Sequence, residues 1–154
     1  MVREDIEQRI ADALKNSNKT ELAVWRALKN EFLVYKTAKA GNEIDDAMEM
    51  KLIQKMVSQR KDSFEQYSAA GRMDLAENEK AEMEVLEKLL PKEPTEDELR
   101  EYVTEIINLR SEVLSMKDMK YLMDLVRSKY PTANGGVIAK LVKEGINNQF
   151  SKEN

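Results

Sequence analysis

The 154-residue sequence contains no cysteine and no histidine. The chain therefore cannot form disulfides, thiolate nucleophiles, thiolate or imidazole zinc sites, Ser-His-Asp triads or di-iron sites built on Glu-x-x-His pairs. What remains is carboxylate, lysine and hydroxyl chemistry, and binding. We expect no catalytic residue, no metal site, no cofactor, and no enzyme activity of the chain on its own.

Long apolar segments and phosphate-binding glycine loops are also missing. The longest uncharged run, residues 130–139, has ten residues, whereas about 20 apolar residues are needed to span a bilayer. The N-terminus carries charge at once and lacks the apolar run of a signal peptide. The five glycines never approach the spacing of nucleotide-binding loops. We expect a soluble, cytoplasmic protein without a membrane partner.

Few turn residues interrupt the chain, which has only five glycines and three prolines, and no segment sustains the alternation of a strand. Apolar residues recur instead at helical spacing, which predicts an all-α protein with seven helices. Thr20 is the expected N-cap of the second helix, Gly41 its C-terminal cap, and Gly71 the end of the third. The first four predicted helices cover about 3–15, 20–40, 46–70 and 74–90, and the last three begin near residues 96, 115 and 137.

The clearest interruption is the segment from Pro91 to Pro94, because two prolines three residues apart cannot continue a helix. Thr95 and Glu98 follow with the spacing of a capping box, and Ser115 and Asp118 repeat this spacing. We predict an N-terminal four-helix domain over 1–92 and a smaller three-helix domain over 93–154.

Charge is uneven in the second half of the chain. Residues 94–114 hold two basic and six acidic groups, whereas residues 115–154 hold seven basic and four acidic groups. The basic groups are candidate phosphate contacts of a nucleic-acid module, and a solvated helix face is the alternative. The six candidates are Lys117, Lys120, Arg127, Lys129, Lys140 and Lys143.

Two further segments are candidate binding sites. Asn134, Gly135 and Gly136 precede the last helix, where backbone amides attract phosphate, although Asn134 could simply be the N-cap. The segment 60–63, Arg-Lys-Asp-Ser, is followed by Tyr67, and its alternative is a charged helix face. The glutamates of 77–87 alternate with lysines, and we expect them on the outside of their helix.

Several of these residues together resemble a known signature. The chain resembles the YqeY-like proteins at residues that lie mostly between 60 and 91. They are the segment 60–63, Tyr67, the Gly71-Arg72 pair, Asp74, Leu75, Glu79, Glu82 and the segment 89–91 (Leu-Leu-Pro), and Arg26 also fits. The YqeY-like proteins are small bacterial and phage proteins related to the C-terminal tail domain of GatB, a component of the aspartyl/glutamyl-tRNA amidotransferase.

The resemblance implies four N-terminal helices followed by a three-helix tail, and in the amidotransferase the related tail touches the tRNA elbow. The resemblance also marks a motif surface at Arg26, Arg60, Lys61 and Arg72. Lys120 and Asp124 stand where the family has glycines. Our leading hypothesis is non-catalytic binding of tRNA or a tRNA-bound complex. The alternatives are an adaptor that docks a protein through the N-terminal helices, and an accessory to glutamine-dependent carbon–nitrogen ligation.

Overall fold

The computed structural model describes residues 1–149, which form seven α-helices and one 3-10 turn and contain no strand. The predicted all-α class is confirmed. In chain order the elements are α1 (Val2–Lys15), α2 (Lys19–Ala38), α3 (Asp46–Ala69), α4 (Met73–Glu87), α5 (Glu96–Asn108), the 3-10 turn Met116–Asp118, α6 (Met119–Lys129) and α7 (Gly135–Asn148). Within residues 1–149, no helix combines the length and apolarity needed to cross a membrane.

The helices form two compact units, an N-terminal unit of Met1–Leu90 and a C-terminal unit that starts at Pro91. In the N-terminal unit α1 packs on α2, α3 packs on α4, and α2 contacts both α3 and α4. Its core centres on Val24, Leu28, Ile53 and Leu86, which are almost completely buried. Burying aliphatic side chains of this size stabilises a fold by about 1.5–3 kcal/mol each.

The first two helices differ in detail from the sequence prediction. Leu14 is exposed and Ala13 is buried in its place. A repeat of four residues drifts by about 40° per step on a helix of 3.6 residues per turn, so Leu14 has left the face that Ile6 defines. The N-cap of α2 is Asn18, whose side chain accepts a bond from the Glu21 amide at 3.1 Å, and not Thr20.

The turns after α2 and α3 use glycine as predicted, although α2 ends before Gly41. Gly41 and Gly71 have φ values of +85° and +72°, a region that side-chain-bearing residues rarely adopt. The residue that caps α2 is Lys39 in extended geometry, so Gly41 turns the chain after the cap. The fourth helix ends at Glu87, three residues before the predicted end.

A buried carboxylate from α3 caps the first helix. Glu49 is fully buried, and its two oxygens accept bonds from the Val2 amide and the Arg3 guanidinium, each at 2.7 Å. The opening amides of a helix have no intrahelical acceptor, and the helix dipole favours a negative charge there. Glu49 therefore fixes the start of α1 onto α3.

In the C-terminal unit the helices α5, α6 and α7 all contact one another around Leu122, Val126, Ile138 and Val142. Both predicted capping boxes are present, at Thr95 and Ser115. The second one opens the 3-10 turn and not α6 directly. Gly145 allows α5 to approach α7 closely, because a Cβ at this position would lie 2.5 Å from Cδ1 of Ile107.

Candidate nucleic-acid interface

Three of the predicted cations lie on the outer side of the 3-10 turn and α6. The apolar stripe of α6 directs Leu122 and Val126 into the core, so Lys120 and Arg127, seven residues apart, share an exposed face. Lys117 lies one turn earlier and is exposed as well. Among the described residues, no carboxylate pairs with these three groups or with Lys143 on α7. Their charges are available to an anionic ligand.

The other two lysines are already engaged within the unit. Lys129 lies 4.0 Å from the centre of the Tyr102 ring and 5.5 Å from that of Tyr130. It lines a depression of about 120 Å³ whose other charged residues are glutamates of α5, namely Glu98, Glu101 and Glu105. This acidic surrounding makes Lys129 a poor phosphate contact.

Lys140 belongs to an ion-pair network between α5 and α7. It shares Glu96 with Arg100, at 3.4 and 2.9 Å, and Arg100 also pairs with Glu144 at 2.9 Å. The Glu144 hydrogen bond raises the pKa of Arg100 above its usual value. Lys140 therefore neutralises charge on its own unit, and the phosphate candidates reduce to Lys117, Lys120, Arg127 and Lys143.

Asn134 is the N-cap of α7. Its side-chain oxygen accepts bonds from the Gly136 amide at 2.9 Å and the Val137 amide at 3.2 Å. Asn134 therefore acts as an N-cap, which was the structural alternative to a phosphate-binding role. Gly135 lies beside Arg127, because a Cβ added to it would be 3.1 Å from an Nη atom of that guanidinium. The α7 turn and the α6 cation face are therefore adjacent.

The structure also brings together a pair that the sequence did not reveal. The guanidinium carbon of Arg110 lies 4.9 Å from the centre of the Tyr121 ring, and Arg110 donates a hydrogen bond to the Tyr121 hydroxyl. Arg110 follows the end of α5, whereas Tyr121 is on α6. The sequence feature that could have revealed this pair is Tyr121, an aromatic residue that follows Lys120 but lies outside the apolar stripe of α6.

The motif residues of the N-terminal unit have mainly structural partners. Arg60 keeps only 14% of its side chain exposed and pairs with Glu82 of α4 at 3.0 Å. It therefore lies in the α3–α4 interface and not on an open surface. Arg72, at the start of α4, pairs with Asp74 at 3.2 Å and holds the pKa of that carboxyl below its usual value. Lys61 is exposed.

The prediction that all the α4 glutamates lie outside is wrong for two of them. Glu79 and Glu82 are half-buried against α3, whereas Glu77, Glu84 and Glu87 are exposed. Burial raises the pKa of Glu79, and the neighbouring Glu82 carboxylate raises it further, while Arg60 opposes them. Glu82 balances the charge of Arg60 within this interface.

Arg26, the remaining motif residue, lies on α2. It lines a groove of about 290 Å³ between α1 and α2 with Glu7, Ile10, Lys29, Asn30 and Leu33. The motif residues therefore lie on three helices in different settings. In residues 1–149, no three carboxylates are grouped so that they could hold a metal ion.

Two comparisons with known proteins bear on this chain. The family model described as YqeY-like protein matches residues 3–146. The protein named altered inheritance of mitochondria protein 41, mitochondrial, from Lachancea thermotolerans is 28% identical over 113 residues. The alignment covers 71% of this chain and 60% of that protein, so the chain spans less than two thirds of its relative.

Proposed function

The chain belongs to the YqeY-like protein family, and we propose that it binds tRNA, or a complex that carries tRNA, without catalysing a reaction. The contact surface is formed by the 3-10 turn, α6 and α7. One observation carries the proposal: Lys117, Lys120, Arg127 and Lys143 are all exposed and have no carboxylate partner among the described residues. Exposed cations without a carboxylate partner can replace the counterions that surround a phosphate backbone.

The number of available cations sets the expected strength of binding. Four phosphate contacts give a slope of roughly −3 to −4 for the logarithm of affinity against the logarithm of salt concentration. Binding should therefore be weak and strongly salt-dependent. The glutamates beside Lys129 repel phosphate on the α5 side, so the contacts come from the 3-10 turn, α6 and α7 and not from α5.

The test compares two triple variants with the same change in net charge. Lys117→Glu, Lys120→Glu and Lys143→Glu together should abolish tRNA binding at low salt. The matched control replaces Lys15, Lys19 and Lys39, which are exposed on the N-terminal unit, with glutamate and should bind like the wild type. Equal loss in both triple variants, or no tRNA binding by the wild-type protein at low salt, would contradict the proposal.

A second candidate function is protein docking through the groove between α1 and α2. Leu33 lines this groove and is 59% exposed, and Leu14 and Val34 are also exposed large apolar residues of the same two helices. Recovery of the protein from cells with and without ribonuclease separates the two functions. A partner that survives ribonuclease and is lost in Leu33→Glu favours docking, whereas a partner released by ribonuclease favours RNA.

A further inference from the structure

Exposed large apolar side chains of the C-terminal unit are concentrated at one corner. Within its described residues there are four, Leu109, Val113, Met116 and Tyr121, and they are 50% to 76% exposed. They all fall between the end of α5 and the first turns of α6. Exposed apolar residues that are grouped, and not scattered singly, mark a binding surface.

Basic residues accompany these apolar side chains. Arg110, Lys117 and Lys120 are exposed in the same segment. The segment holds two carboxylates, Glu112 and Asp118, and Asp118 accepts bonds from the Ser115 amide and hydroxyl at 2.8 and 3.1 Å. The corner thus has more positive than negative charge, and its charge complements an anionic ligand.

Arg110 and Tyr121 give the corner a flat, polarisable surface. The guanidinium is held over the tyrosine ring by the 4.9 Å contact and by its hydrogen bond to the hydroxyl. Half of the Tyr121 side chain remains exposed with Arg110 in place. Aromatic rings and guanidinium planes are the groups on which proteins stack unpaired bases, and the bases stack irrespective of their identity.

We propose that Arg110 and Tyr121 form a stacking platform for the base of an unpaired nucleotide, while Lys117 and Lys120 neutralise its flanking phosphates. The inference rests on the proposed RNA binding and specifies it, because the ligand must present a single-stranded segment. A duplex keeps its bases stacked inside and can use only the lysines. The platform therefore discriminates between single-stranded and double-stranded RNA.

The test uses a single-stranded oligoribonucleotide of about ten nucleotides with one 2-aminopurine, and an RNA duplex of the same length. Tyr121→Ala and Tyr121→Leu should weaken binding of the single strand by roughly 5- to 150-fold, the loss expected for one stacked base. Tyr121→Phe, which keeps the ring, should stay within a few-fold of the wild type. Affinity for the duplex should be the same in all three variants.

The 2-aminopurine provides a direct signal, because its fluorescence is quenched on stacking. Quenching by the wild type and by Tyr121→Phe, but not by Tyr121→Leu, supports the platform. Circular dichroism verifies that each variant keeps its helices. If both RNAs bind and the single strand is indifferent to Tyr121→Ala and Tyr121→Leu, the platform is wrong and the lysine surface stands. If neither RNA binds, the platform is wrong, and the titration of tRNA at low salt decides separately whether the proposed function stands.

Discussion

Replacing Glu49 with alanine should destabilise the N-terminal unit severely. The buried carboxylate accepts the Val2 amide and the Arg3 guanidinium, and alanine can accept neither bond. The change therefore leaves a buried donor without a partner and removes the negative charge at the start of α1. It also empties the space that the side chain filled between α1 and α3.

The magnitude follows from these contacts. An unsatisfied buried donor costs about 1–3 kcal/mol, and breaking a buried ion pair costs about 3–5 kcal/mol. Because the Arg3 side chain is 21% exposed, its guanidinium can still reach water, so the lower end of the range for a buried ion pair applies. We expect a loss of about 3 kcal/mol in the free energy of unfolding. For a unit of this size that lowers Tm by about 12–24 °C.

Tryptophan fluorescence during urea denaturation measures this loss of stability in the N-terminal unit specifically. The sequence has one tryptophan, Trp25, and it is buried in the core of the N-terminal unit. Asp46→Asn is the matched control, because this carboxylate also bonds Arg3 but is 70% exposed, and exposed pairs contribute about 0–1 kcal/mol. Glu49→Gln, which keeps an acceptor but not the charge, should fall between the two. A loss below about 1 kcal/mol for Glu49→Ala, or an equal loss for Asp46→Asn, would refute the capping argument.

Three further predictions concern the connection, the α3–α4 interface and the capping box. Limited proteolysis should cut within the largely exposed segment 91–95 and leave a folded, helical fragment of the first ~90 residues; cleavage scattered through both units would contradict independent folding. Glu79 has a raised pKa, so the folded state binds its proton more tightly than the unfolded state does, and this contribution to stability is lost as the pH rises through the raised pKa. Glu79→Gln should therefore flatten the pH dependence of Tm in mildly acidic buffers, and an unchanged profile would argue against a raised pKa of the half-buried carboxyl. Thr95→Ala should cost the C-terminal unit about 1 kcal/mol through loss of its N-cap bond, measured by thermal denaturation against Thr104→Ala, whose hydroxyl donates to the Arg100 carbonyl of the same helix.

The helices themselves could be predicted because their signals are local. Apolar spacing gave the register of α2 and α5 to α7, and the Thr95–Glu98 and Ser115–Asp118 pairs are separated by only three residues. The sequence predicted Thr20 as the N-cap of α2, whereas the cap in the structure is Asn18. The position of the cap depended on the turn at Ser17, which has a φ of +53°, and no local sequence pattern predicted this turn.

The candidate site was predicted only in part. The sequence identified the six cations of the 3-10 turn and the last two helices, but it could not separate Lys117, Lys120, Arg127 and Lys143 from the two that are engaged. Lys140 meets a glutamate 44 residues away. Lys129 lies over a ring from another helix. Whether a charge is available depends on the neighbours that folding places beside it.

The sequence by itself determined the all-α class, the positions of most helix ends and the chemistry that is excluded, since composition, periodicity and capping act within a few residues of the chain. Tertiary structure decided which polar groups are buried and which face a ligand. Glu49 lies 47 residues from Val2, Arg60 lies 22 residues from Glu82, and Arg110 lies 11 residues from Tyr121. In each case the partner is on a different helix or turn, so only the packing of the elements brings the two groups together and fixes their burial.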